Sequence, residues 1–85
     1  MSTLEKTKER LRLEPKDYTY TEARQLLIAL GYVEDNKGKT SGSRVRFYRE
    51  TDQGVIMLHK PHPGNTMKGY AVKDLRQRLF EYGDL

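Results

Sequence analysis

The sequence predicts an α+β fold in which two helices, three antiparallel strands and a closing helix follow one another, with the helices on one face of the sheet. Three observations carry this reading. The segment "YTYTEARQLLIALGY" (18–32) and the segment from Tyr70 to Tyr82 repeat apolar residues at helical spacing. "RVRFYR" (44–49) alternates charged and apolar residues with the period of a strand, and "GVIMLH" (54–59) is a short apolar run. Between the periodic stretches stand clusters of Gly, Pro, Asp, Asn and Ser, which are turn and loop residues.

Residues 2–13 mix charges with Leu4, Leu11 and Leu13. Ser2 or Thr3 can cap the start, and Glu5–Glu9 with Lys6–Arg10 populate helical faces, so a short, mostly exposed helix is expected. Glu14-Pro15-Lys16-Asp17 breaks it. Thr19 followed three residues later by Glu22 is a capping-box pattern, with Thr21 as the alternative cap. Ala23, Leu26, Leu27 and Leu30 form one apolar face, and Gly31 supplies a left-handed stop. A strand starts at Tyr32-Val33-Glu34, and "DNKGKTSGS" (35–43) reads as a loop. In the second strand Val45 and Phe47 face a core while Arg44, Arg46 and Tyr48 face away from it. "ETDQG" turns into the third strand, "KPHPGNTMKG" is a loop with two prolines, and Val72, Leu75 and Leu79 mark the buried stripe of the last helix.

An 85-residue chain fits one small domain, and its mean hydropathy of -0.89 is lean but periodically grouped. The absence of cysteine excludes disulfides and cysteine-based zinc sites. No apolar run reaches the ~20 residues that span a bilayer, and Met-Ser-Thr-Leu-Glu-Lys has no apolar signal core; a soluble, cytoplasmic protein is expected. The net charge is +4, and it is concentrated. Lys37, Lys39, Arg44, Arg46 and Arg49 follow one another with no acid between them, and a second cationic block runs from Lys60 to Arg78, interrupted by Asp74 alone. Such asymmetry points to a surface that meets a polyanion, against the plainer reading of solvated lysines.

Lys37, Lys39, Arg44, Arg46, Lys60 and Lys68 fall in loops and strand ends that this fold brings together, a pattern suited to phosphate contact along a polyanion. Tyr48 is placed to stack on a base or to stand as an ordinary outward tyrosine. Ser43 has no acid–base partners beside it, so turn chemistry outweighs a nucleophile reading, and it is counted with these cations among the binding residues. "PGN" (63–65) reads as a phosphate nest or, more simply, a tight turn. His59 and His62 stand three residues apart and suit a base and an acid around one phosphate, or two unrelated roles: closing a strand and bonding within a loop. Two histidines without cysteine or paired carboxylates make a thin metal set, and no metal is expected. Arg76 and Arg78 read as the solvated face of the last helix.

The element order, the helix ending "LLIALGY", "GSRVRF" entering the middle strand, "LHKPHPGN" leaving the last one and the closing "YAVKDLRQRL" together resemble the HicA toxin family, also called YcfA-like, over roughly residues 19–82. The resemblance rests on Gly42, Ser43 and Phe47 at near-family spacing and on Pro61 and His62, and the chain looks like a branch carrying "SGSRVRF" with "LHKPHPG". It implies a double-stranded-RNA-binding-like αβββα core in residues 19–85, preceded by an extra helix and linker in residues 1–18, as a single globular domain overall. It also implies a metal-independent, cofactor-free ribonuclease that cleaves mRNA, arrests translation and is neutralised by a HicB-type antitoxin. The family's catalytic residue is the histidine of Gly-Ser-His, and here that position is Arg44. Arginine stays protonated and cannot serve as a general base, though it grips phosphate well. Three outcomes therefore stand: His59 or His62 is the base, nuclease activity is weak or absent, or the domain only binds RNA. A basic protein-interaction module is the further alternative.

Overall fold

A computed structural model describes residues 3–35, 44–61 and 64–85. In chain order the elements are α1 (Thr3–Arg12), α2 (Tyr20–Ala29), β1 (Val33–Asp35), β2 (Arg44–Arg49), β3 (Gly54–His59) and α3 (Gly69–Glu81). The strands form one antiparallel sheet in the order β1-β2-β3. Val45, Phe47, Ile56 and Leu58 are buried beneath the helices, where Leu26, Leu27, Val72, Leu75 and Leu79 meet them. From α2 to α3 this is the αβββα arrangement of double-stranded-RNA-binding-like domains, with α1 added in front.

Both ends of α2 follow from local chemistry. The Thr19 hydroxyl accepts from the Glu22 N–H at 3.1 Å while the Glu22 carboxylate accepts from the Thr19 N–H at 3.0 Å, which completes the expected capping box. At the other end Gly31 takes a φ of 100°, so the Tyr32 N–H reaches the Leu27 carbonyl at 2.9 Å and the Gly31 N–H reaches that of Ile28 at 3.0 Å. A Cβ added to Gly31 would meet nothing closer than Arg49 Cδ at 3.5 Å, so a side chain fits and only the backbone conformation resists it. Gly31→Ala is therefore expected to lower stability by about 1–2 kcal/mol, the cost of a left-handed L-residue, read as a shifted urea midpoint with an unchanged m-value.

The expectation of a mostly exposed first helix needs refinement. Leu13 is 74% exposed, but Leu11 is 0% exposed and Leu4 packs against the same core. Arg10 reinforces the contact. Its guanidinium donates to both Glu22 carboxylate oxygens and to Asp17 Oδ1 (2.9 Å), and it lies over the Tyr18 ring at 5.9 Å. The side chain that closes the capping box of α2 is thus also the anchor of α1.

Arg49 is the second internal tie. By strand alternation it shares the core face with Val45 and Phe47, and its side chain is 11% exposed. It forks onto Asp52 (Nε–Oδ1 3.0 Å, Nη2–Oδ2 2.6 Å), donates from Nη1 to Asp84 Oδ1 (2.9 Å) and the Leu30 carbonyl (3.1 Å), and covers the Tyr32 ring at 4.4 Å. The β2–β3 turn, the end of α2 and the residues after α3 meet on this one guanidinium.

These surroundings set the pH limits of the fold. Burial, the largest cause in each case, raises the phenols of Tyr18, Tyr20 and Tyr32, with Tyr20 pushed up to about 12. A raised phenol favours the neutral form in the native state. The stability it confers is present below the ordinary tyrosine range near ~10 and is lost as pH rises through the folded value. On the acid side, the Arg49 side chain holds the Asp52 carboxyl below its usual range. Burial alone would raise Glu22, but the bonds from Arg10 and Thr19 outweigh it and lower the carboxyl. Both contributions are present above the ordinary carboxylate range near ~4 and are lost as pH falls below it. A circular-dichroism titration is expected to show a stability plateau bounded on those two sides; undiminished stability from pH 10 to 12 would contradict the alkaline limit.

Candidate nucleic-acid interface

The helices cover one face of the sheet and leave the other open. Arg44, Arg46 and Tyr48 of β2, Val55, Met57 and His59 of β3, and Val33 and Asp35 of β1 share this open face. The register lays them in rows. Val33, Tyr48 and Val55 form the first row, Asp35, Arg46 and Met57 the second, and Arg44 with His59 the third. The Tyr82 hydroxyl accepts from the Val55 N–H (3.4 Å) and donates to the Val55 carbonyl (3.2 Å), so the backbone of Val55 points away from β2. Alternation then makes Tyr48–Val55, Arg46–Met57 and Arg44–His59 the non-hydrogen-bonded pairs, in which facing side chains stand closest, with Cβ atoms about 4.5–5.5 Å apart.

The three arginines of β2 occupy three different settings. Arg49 is the buried tie. Arg46 donates to Asp35 Oδ2 at 2.7 Å and lies over the Tyr48 ring at 5.5 Å, so part of its charge is already answered. Arg44 is exposed and has no ion pair among the described residues.

His59 links the open face to a cleft of about 230 Å³, lined by His59, Lys60, Pro61, Met67, Lys68, Tyr70 and Ala71. The wall of the cleft that leads into α3 is held by the start of α2. The Tyr20 N–H bonds the Asn65 carbonyl (2.8 Å), the Met67 N–H bonds the Tyr18 carbonyl (2.8 Å), and the Asn65 amide reaches Thr21 Oγ1 (2.9 Å). The approach to α3 is thereby pinned to the start of α2, and Met67, 3% exposed, anchors it in the core. Lys68 is the N-cap residue of α3, the helix has no acid in its first turn, and its positive end adds to the charge of Lys60 and Lys68.

Of the residues singled out from sequence, Arg44, His59, Lys60 and Lys68 gather at one end of the domain. Arg46 and Tyr48 stand in the neighbouring rows of the open face. Lys37, Lys39, Ser43 and His62 lie outside the described residues, as does Pro63 of the "PGN" turn. Arg78 is exposed and pairs with Asp74 at 3.3 Å along its own helix, as a solvated face does, whereas Arg76 is half-buried and reaches Glu14, beyond the end of α1, at 3.3 Å. Tyr70, 72% exposed on the wall of the cleft, is the residue that sequence reading missed. An aromatic in the first turn of a helix, off its apolar stripe, is the signal that would have found it. Among the described residues no three histidine, aspartate or glutamate side chains gather as a metal-binding group, and no helix is long and apolar enough to cross a membrane.

A family model described as the HicA toxin of bacterial toxin–antitoxin systems matches residues 20–79, which is well over half of the chain and runs from α2 into α3. No curated protein matches the chain, and no solved structure matches it.

Proposed function

The chain belongs to the HicA toxin family of bacterial toxin–antitoxin systems, and from that premise we propose that it is a toxin directed at mRNA in the cytoplasm, cutting it without a metal ion and held in check by a HicB-type antitoxin. The observation that carries the RNA reading is the convergence of Arg44, His59, Lys60 and Lys68 at the end of the open sheet face and the adjoining cleft. An RNA backbone laid across this end meets cations from two strand ends and from the start of α3, and Tyr48 and Tyr70 offer ring faces to bases. Lys37, Lys39, Ser43 and Arg46 belong to the same proposed contact. The base is a histidine, His59 or His62, since Arg44 cannot take a proton.

The other end of the open face fits the protein partner. Val33 is 64% exposed and Met57 39% exposed, next to Tyr48 and Val55, and apolar side chains left to water in this way suit a partner surface. A second reading, an RNA-binding domain that does not cut, is favoured by one observation, the arginine at position 44.

The RNA contact is tested by binding to a structured RNA across a salt series. Each of Arg44→Gln, Lys60→Gln and Lys68→Gln is expected to weaken binding and to reduce the slope of log K against log salt by about 1. Three unchanged slopes would remove this surface from the RNA contact.

A further inference from the structure

We infer that Arg44 and His59 act together on a single phosphate, Arg44 as its clamp and His59 as the general base that starts cleavage. The inference rests on the RNA-directed reading above and specifies its chemistry. Four observations meet at this pair. The register sets the two residues directly opposite each other on adjacent strands. The pair is of the non-hydrogen-bonded kind, in which side chains stand closest. Both are exposed on the open face, and Arg44 has no ion pair among the described residues to divert its guanidinium. His59 also lines the cleft with Lys60 and Lys68, so a strand gripped at Arg44 continues toward two further cations.

The chemistry follows from the residue types. A guanidinium offers two parallel N–H donors to the non-bridging oxygens of a phosphodiester and stabilises the charge that develops there. An imidazole within reach of the adjoining ribose takes the proton of the 2′-hydroxyl. The 2′-oxygen bonds to phosphorus, the bond from phosphorus to the 5′-oxygen breaks, and the departing 5′-oxygen takes a proton from water in the open cleft. The imidazolium then returns its proton to solvent. The products are a 2′,3′-cyclic phosphate and a free 5′-hydroxyl, and no other reactant is consumed.

The test is cleavage of a structured mRNA in EDTA by the full chain and by His59→Gln, Arg44→Gln and His62→Gln, with RNA affinity measured in parallel. His59→Gln is expected to slow cleavage about 100-fold or more while affinity stays within about twofold, the signature of a lost proton transfer rather than lost binding. Arg44→Gln is expected to lower both rate and affinity. Circular dichroism is expected to show all three variants folded. Wild-type cleavage rates in His59→Gln, or in Arg44→Gln, would overturn the pair and leave the RNA-directed reading standing. A wild-type protein that binds the RNA and never cuts it would overturn the cleavage reading and the pair with it.

Discussion

Arg49→Ala is expected to lower stability by about 3 kcal/mol, because it leaves the largely buried Asp84 carboxylate without its cation. In the native state the guanidinium bonds Asp52 and Asp84, caps the Leu30 carbonyl and covers the Tyr32 ring. The Asp84 side chain is 13% exposed and therefore poorly placed to recover water as a partner. A domain of this size stands at the lower end of the usual 5–15 kcal/mol range, so a loss of that order leaves a substantial unfolded fraction at 37 °C. Arg49→Lys keeps the charge but cannot fork onto Asp52 and reach Leu30 at once, and it is expected to fall between the two. Urea unfolding of the three proteins checks the order; a loss below about 1 kcal/mol for Arg49→Ala would place this cluster among ordinary surface pairs.

The second large effect lies outside the segment matched by the family model. Leu11→Ala is expected to destabilise by about 2–4 kcal/mol through lost burial and the cavity left behind. Leu13→Ala, two residues on, removes a side chain that is 74% exposed and is expected to stay within about 0.5 kcal/mol. The contrast decides whether α1 is part of the folded core. Equal small effects from both substitutions would show α1 to be an appendage that the domain does not need.

How much of this was legible in the sequence depended on how far apart the interacting residues stand. The ends of α2 were legible because Thr19, Glu22 and Gly31 act within a few positions of their partners. The inward set of β2 and the buried stripe of α3 were legible because periodicity is local. Arg49 looked like one more member of a cationic run; its role depends on Asp84, 35 residues away, and on an alternation that puts it on the core face. Leu11 is one leucine in a charged helix, and only its place in the buried core separates it from Leu13. Arg44 and His59 were each noticed from residue type, yet nothing in composition set them opposite each other. That juxtaposition follows from the register of the β2–β3 hairpin, with Arg49 opposite Gly54. Tyr70 escaped because its neighbours in the cleft come from the end of β3.

The central claim is that this fold cuts RNA although position 44 is arginine. The most direct test incubates the purified wild-type protein with a structured mRNA in EDTA and maps the ends that appear. Discrete fragments ending in 2′,3′-cyclic phosphate, accumulating with time, are the expected result. An mRNA that stays intact while bound with a steep salt dependence would contradict the claim and leave a domain that holds RNA without cutting it.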